Sequence, residues 1–509
     1  MAVEDDGGSV EPRPGADVAE PHSIFDKRQK AVVVFIAATA ATFSGFASNI
    51  YFPALAVVAG DLRVSVELVS LTVTSYLVLQ GIAPSIWGPL SDARGRRVTY
   101  FCTFLVFLGA CIGLAETRDY ATLVVLRSLQ SSGSASTIAI GAAVIGDITT
   151  REERGGYMGV FQAGLLAPVA VGPVIGGALS ASLGWRAIFW FLAIYSGAFL
   201  VLLVVSLPET LRSAVGNGSA RPSNLIARYP LNLYQRTTRV KFSPQAELEQ
   251  PAKKATIDIA GPIRILFSKQ AAPVIVFLGV YYAVWQMSIT AMAVLFEESY
   301  SLTVTQVGLT FIANGAGSII GTLITGKILD ADYRRVREKH ESALSQGGSE
   351  TGSEQSPRPR HDSVDFPLER ARLRLVPILA LLQCASILIF GWTIQYRVHI
   401  AVPIVTTFIT GWTVVSTQSI VTTYLIDVFS EQKAASTASL NLARCLLAAG
   451  GTSIVTPIIN AVGIGWTFTI AVAALLVALI LGVGIQWKFG GKWRADADRV
   501  KRQADQGKD

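Results

Sequence analysis

The sequence predicts an all-α membrane protein of twelve transmembrane helices, arranged as two six-helix bundles related by a pseudo-two-fold axis. Three observations predict it. Of 509 residues, 51% are hydrophobic and only 16% charged, against about a quarter charged in ordinary soluble domains. The apolar residues gather into runs of about 20, the length at which a helix spans the hydrocarbon layer. Polar features also recur at matching places in the two halves of the chain.

Residues 1–30, acidic and polar with Pro12, Pro14 and Gly15, read as a disordered cytoplasmic tail, with no secretory signal pattern. The first bundle, 31–206, holds apolar runs near 31–52, 68–87, 99–115, 121–144, 157–180 and 186–206. A cytoplasmic central loop, 207–270, rich in Pro, Asn, Arg and Lys, separates it from the second bundle, 271–488. That bundle's runs lie near 271–293, 307–328, 373–394, 399–424, 435–459 and 465–487. Between its second and third runs sits an insertion, 330–372, whose "HESALSQGGSETGSEQSPRPRHDS" has the composition of a disordered, solvated linker. A cytoplasmic tail, 489–509, ends the chain.

Lysine and arginine in the loops set the orientation. With the N-terminus inside, the outer loops carry only Arg63, Arg118, Arg186 and Arg397. The inner loops and tails carry nearly all the others, so both termini are expected to be cytoplasmic. The net charge of +7 then reflects topology and makes no case for nucleic acid. The four cysteines, Cys102, Cys111, Cys384 and Cys445, fall inside runs and read as small apolar residues, without disulfide or metal spacing. No metal and no cofactor are expected, and a monomer is the expected state.

The repeat is visible at the inner ends of the runs. "GPLSDARGRR" closes the second run and "GKILDADYRR" the eighth, each with a glycine, an acid four residues later and an arginine pair. "GDITTREERGG" after the fourth run and "IDVFSEQKAA" after the tenth each place an acid, Asp147 or Asp427, before a mixed-charge turn. Parallel repeats of six spans are the plan of carriers whose halves rock about a central site.

Within "GPLSDARGRR", Gly88 and Gly95 permit a sharp turn. Asp92 can pair with a neighbouring arginine, Arg96 or Arg97, or cap another helix. A pair that forms in one state and breaks in the other makes a latch between two conformations. Asp147 and Asp427 read as a charge switch at helix ends.

Arg127 lies about six residues, roughly 9 Å, inside the fourth run. A charge there is costly, so it should face a water-filled path for substrate or proton, with Gln130 beside it. Arg444, with Asn441 one turn earlier, repeats the pattern in the eleventh run. Polar and aromatic candidates for a cavity lining are Asn49, Tyr51, Tyr76, Gln80 and Gln162, then Tyr281, Tyr282, Trp285, Gln286, Asn314, Trp412 and Gln418. "YYAVWQ", holding Tyr281, Tyr282, Trp285 and Gln286, is the densest cluster and suits a flat amphipathic ligand. The glycines of the fifth run, with Gly317 and Gly321 at small-xxx-small spacing in the eighth, predict that these two spans pack together at the seam between halves.

The spacing Gly88-x-x-x-Asp92-x-x-Gly95-Arg96-Arg97 resembles the hallmark loop of the major facilitator superfamily. "LVVLRSLQSSGSA" is similar to the family's arginine motif, with Arg127, Gln130, Gly133 and Ala135 in register and Ser131 where many members have glycine. "GLLAPVAVGPVIGG", holding Gly172, Pro173, Gly176 and Gly177, resembles the motif typical of the superfamily's antiporters. "NIYFPAL", "LPETLRSAVGNGS" and "NLARCLLAAGGTS" are similar to the fungal quinidine-resistance-type exporters of the twelve-span drug:H+ group, although Ala56 stands where those have proline. The resemblance implies the major facilitator fold, proton-driven export of small molecules and residence in the plasma membrane.

Function classes narrow accordingly. "GTLITGK" fits a phosphate loop only until Ile328 replaces its Ser or Thr, and no Ser/His/Asp, HExxH or CxxC set is present, so no enzyme is expected. The leading expectation is a proton-coupled antiporter exporting small amphipathic compounds, such as drugs, toxins or secondary metabolites. The alternative is an organic-anion carrier whose Arg127 and Arg444 bind a carboxylate. A transporter-like sensor is the third. The spans hold no acid in their middles. A coupling proton must therefore use an end acid such as Asp92, Asp147, Asp427, Glu297 or Glu298, or travel on the substrate.

Overall fold

The computed structural model describes residues 21–150, 153–220, 229–241, 261–347, 368–429 and 432–506. Span one begins at Lys27. There Asp26 accepts from the Gln29 N–H while the Gln29 side chain accepts from the Asp26 N–H, a reciprocal cap. The helix runs to Asn49, breaks in a 3-10 turn at Phe52–Ala54 that contains Pro53, and resumes over Leu55–Leu62. Spans two to six are Val66–Arg94, Arg96–Glu116, Tyr120–Ile148, Arg154–Leu183 and Arg186–Ser206. Span seven is Ala272–Tyr300 and span eight starts at Val304. Span nine, Val376–Gln395, follows a short helix at Leu368–Leu373. Spans ten and eleven are Ala401–Val428 and Lys433–Val462. Span twelve starts at Ile464 and continues through a π turn at Ile480–Gly484 into Ile485–Gln506.

Eleven of these helices are apolar enough by hydropathy to cross a membrane. Span four falls short because Arg127 and a run of Ser, Thr and Gly occupy it, yet it packs against spans one, two and three. Its polar face is spent on protein neighbours, so it completes the twelve. An even number of crossings puts both tails on one face, the tail face; the other is the far face.

Four main packing pairs in the first half have counterparts six spans later. Spans one and five, two and four, three and four, and three and six pack together, as do seven and eleven, eight and ten, nine and ten, and nine and twelve. The halves meet along two seams, span five against eight and span two against eleven.

On span two the seam is a heptad stripe. Glu67 Oε1 accepts from Asn460 at 2.7 Å, and Thr74 Oγ1 lies 3.1 Å and 3.0 Å from the hydroxyls of Thr452 and Ser453. A Cβ on Gly81 would sit 3.1 Å from that of Cys445. Gly88, next on the stripe and about 10 Å further on, has nothing within 4 Å. The second seam ends the same way: a Cβ on Gly177 would lie 2.8 Å from the Val304 carbonyl and one on Gly308 2.5 Å from that of Pro173, and Gly315 abuts Ala170. Towards the tail face, Gly159 and Gly326 meet nothing. Phe52 and Phe311 stack between the halves. The halves are thus closed at the far face and apart at the tail face.

Spans five and eight pack as expected, through different glycines. Gly317 and Gly321 press against Phe408 and Trp412 of span ten, inside the second half. The seam uses Gly308 and Gly315, seven residues apart on the face that Gly317, two positions beyond Gly315, cannot share at 3.6 residues per turn.

Three stretches read as loop carry structure. Ile24 and Phe25 are buried in the N-terminal tail. Ile24 N–H donates to the Asn217 carbonyl at 3.0 Å, and Phe25 meets Tyr234 edge-on at 5.6 Å. Their partners lie some two hundred residues away, beyond any local pattern. The central loop forms short helices at Arg212–Val215, Leu231–Thr237 and Gly261–Leu266. Span eight's helix continues to Gly347, where the composition places a solvated linker from 330; "RRVREKHESALSQ" is rich in good helix formers. The rest of that linker, 348–367, lies outside the described residues.

Candidate functional site

Arg127 is enclosed, with only 1% of its surface exposed. Its guanidinium lies between the rings of Tyr51 and Tyr76, 4.5 Å and 4.6 Å from their centroids. It donates to the Ala47 carbonyl at 3.1 Å and to Gln130 Oε1 at 2.6 Å, and its Nε has no partner among the described residues. Gln130 is held in turn by its amide against Cys111 Sγ at 3.2 Å. A planar cation between two aromatic faces satisfies part of its charge without a carboxylate. In this arrangement Arg127 and Gln130 bind spans one, two and four together and do not reach an open path.

Span four comes close to its neighbours by two means. Ser131, where the motif more often has glycine, donates to the Tyr76 carbonyl at 2.6 Å, and a Cβ on Gly133 would lie 2.7 Å from the Thr103 carbonyl. The hydroxyl bonds where a glycine would only make room.

The second cluster straddles the halves. Arg444 is half-buried, 4.8 Å from the centroid of Tyr282. It donates to Asn441 Oδ1 through Nε at 3.1 Å and Nη2 at 2.8 Å, and to Gln418 Oε1 at 3.1 Å. Asn441 Nδ2 donates across the seam to the Gln80 carbonyl at 3.0 Å. Tyr282 meets Trp285 at 5.2 Å, and Trp285 Nε1 donates to Asn314 at 3.1 Å. Gln286 is buried on the same helix. Neither Arg127 nor Arg444 meets a carboxylate among the described residues. The two clusters share span two, Tyr76 touching one arginine and Gln80, one turn on, bonding the partner of the other.

Tyr281 stands apart. Its hydroxyl lies 3.2 Å from the Leu379 carbonyl and 3.3 Å from Thr417. One residue along a helix turns a side chain by about 100°, so Tyr281 packs against spans nine and ten while Tyr282 faces Arg444. The antiporter-type glycines serve contacts: Gly176 abuts the Ile50 carbonyl, a Cβ on Gly172 would lie 3.5 Å from that of Asn49, Pro173 receives Gly308, and Gly177 forms the seam.

At the tail face, Arg96 pairs with Asp92, four residues earlier, and with Asp147 Oδ2 at 3.0 Å, and donates to Ser91 at 3.0 Å. Arg97 donates to the carbonyls of Val204, at 2.6 Å, and Tyr229. The latch residues therefore sit within the first half. The cap on span three comes from Glu209, which lies just past span six and which the sequence reading misses. Its carboxylate, 2% exposed, accepts from the N–H groups of Arg96 at 2.9 Å, Arg97 at 3.3 Å, and Thr210 and Leu211 at 3.0 Å. Gly95, at φ +108°, leaves room for it: a Cβ there would lie 2.5 Å from Oε2. The one signal was an acid beside Pro208 at the end of an apolar run. The second half repeats the pairing, since Arg372, ahead of span nine, meets Asp427 at the end of span ten at 2.8 Å.

The model of the Major Facilitator Superfamily matches residues 37–340. The chain belongs to this superfamily. Citrate exporter 1 of Aspergillus niger is 37% identical over 507 residues, covering 98% of this chain and 94% of that one. Multidrug transporter QDR2 of Candida glabrata is 34% identical, covering 95% and 85%. Among solved structures, the xylose transporter XylE of E. coli superposes with a TM-score of 0.60 at 14% identity over 91% of this chain and 98% of that one. The human organic anion transporter MFSD10 does so at 0.55 and 15%, over 89% and 99%. Both structures support the fold of this superfamily member. It is a multi-pass membrane protein and a secondary transporter of small molecules.

Proposed function

We propose that this transporter exports small organic anions that carry a carboxylate and an apolar or planar portion, by alternating access coupled to protons, at the plasma membrane with both tails in the cytoplasm. The observation that carries this reading is Arg444. It stands at mid-depth beside the opening on the tail face, and its partners among the described residues are amides and an aromatic ring. A carboxylate would take two of its N–H groups in the paired geometry that guanidinium favours. Tyr282 and Trp285 offer a planar apolar surface next to it. Arg127, boxed by two tyrosines, sets the shape of span two from behind. The names of its relatives, a citrate exporter and a multidrug transporter, agree with an anionic and an amphipathic requirement respectively. The second reading, export of uncharged or cationic amphipathic compounds, draws on the aromatic pair alone.

Inverted membrane vesicles with an imposed proton gradient test it, with a panel of small carboxylates and cationic drugs. Uptake of carboxylates that an uncoupler abolishes, and that Arg444→Gln reduces by about tenfold or more, is the expected result. Uptake of cations alone, unchanged by Arg444→Gln, would replace the anion reading with the second one.

A further inference from the structure

We propose that Asn441 couples occupancy of Arg444 to the seam between the halves. This rests on the anion reading above. The Asn441 amide is shared between two tasks. Its Oδ1 accepts two bonds from Arg444 and lies 3.8 Å from Cys445 Sγ, while its Nδ2 donates to the Gln80 carbonyl of span two. An amide is planar, so fixing the oxygen on Arg444 aims the nitrogen at Gln80. This bond crosses the span two–span eleven seam about two turns before Gly88, where the stripe opens towards the tail face.

With Nη1 engaged by Gln418, the edge open to a bidentate carboxylate is the Nε–Nη2 edge that the neutral Asn441 oxygen now holds. An ionised acceptor displaces a neutral amide oxygen. The displaced amide then turns freely about its side-chain bonds, and the Gln80 bond loses its fixed direction. What remains of this seam is hydroxyl contacts at Thr74, a bond at Glu67 and the close approach at Gly81. Substrate thus weakens the closed side from the mouth outwards, and an empty carrier keeps it shut. Asn441 acts here as a positioning residue: it tells the seam whether the arginine is occupied.

The test uses the full chain in lipid nanodiscs with radiolabelled benzoate and octanoate as probes, a carboxylate on a planar and on an apolar body. Binding is measured directly, and hydrogen exchange is followed in peptides covering 66–81 and 441–460. In the parent protein, either carboxylate should speed exchange in both peptides by several-fold to about tenfold, the worth of one neutral hydrogen bond. In Asn441→Ala, carboxylate binding should persist within about threefold while the exchange response disappears. Asn441→Asp should lose both, because the new carboxylate neutralises Arg444; this variant keeps the test decisive should the alanine variant not fold. Carboxylate-dependent exchange that persists in Asn441→Ala overturns the coupling alone. A parent that binds neither probe overturns the anion reading and the coupling with it.

Discussion

Glu209 offers the sharpest test of how the first half is held at its tail face. Glu209→Ala removes a buried acceptor from four backbone N–H groups, two at the start of span three and two in its own turn. A lost N-cap costs about 0.5–2 kcal/mol, and each further buried donor left without a partner costs about 1–3 kcal/mol. Water at the membrane face recovers part of this, which leaves roughly 3–5 kcal/mol. For a cooperative unit the size of this half, each kcal/mol lowers Tm by about 2–4 °C. The variant should therefore melt roughly 10 °C below the parent in detergent, followed by fluorescence-detected gel filtration of heated samples. Glu209→Gln keeps one acceptor oxygen and should lose about half as much. An alanine variant that melts within about 2 °C of the parent would refute the reasoning, because a carboxylate serving four donors cannot be removed without consequence.

Other changes probe separate parts of the site. Arg127→Lys replaces a plane stacked between two rings with a single ammonium that cannot also reach Ala47 and Gln130, and should cut Vmax in vesicle uptake by about tenfold or more. Gly176→Ala forces span five away from the Ile50 carbonyl and should cost about 1–3 kcal/mol, read as a lower Tm. Asp147→Asn removes the charge opposite Arg96; gradient-driven uptake should fall by about tenfold while downhill exchange stays within about threefold, read as the ratio of the two rates. Thr74→Val deletes the seam's central hydroxyl and should speed exchange of the far-face half of span two several-fold, about 1 kcal/mol for a neutral hydrogen bond, by hydrogen-exchange mass spectrometry.

Much of the fold is legible because a bilayer demands it. Runs of apolar residues, charge between them and repeated acids at helix ends specify twelve spans and two halves without any tertiary information. The arginines are legible as well, since a charge in such a run has few reasons to exist. What hides is direction. Tyr281 and Tyr282 are adjacent letters of one aromatic cluster, yet only Tyr282 faces Arg444. Gly317 and Gly321 have the right spacing for a seam but lie on the wrong face. Partners distant in sequence hide too: Glu209 serves a helix start more than a hundred residues earlier, and Ile24 is anchored by Asn217. Composition misleads in one further place, where the polar stretch after 330 reads as disordered while the helix continues to Gly347.

The distribution of bond types shows which contacts a transport cycle can break. Among the described residues, ion pairs stay within one half: Lys30 with Glu153, Arg96 with Asp92 and Asp147, Arg186 with Asp61, Arg372 with Asp427, and Arg494 with Glu369. The seams are built otherwise, from glycine contacts, one aromatic stack, hydroxyl pairs and the amides of Asn441 and Asn460. Hydrogen bonds between neutral groups are worth about 0.5–1.5 kcal/mol each and the one that Glu67 accepts about 1.5–3 kcal/mol, so the few that cross the seams sum to the scale of an equilibrium a bound ligand can tip. A buried ion pair broken in every cycle would instead expose an uncompensated charge, at about 3–5 kcal/mol. Rigid halves joined by weak seams are what a carrier needs if binding one small molecule is to decide which face opens. The charged pairs at the ends of spans four and ten then have a different task. They hold each half as one body at the tail face.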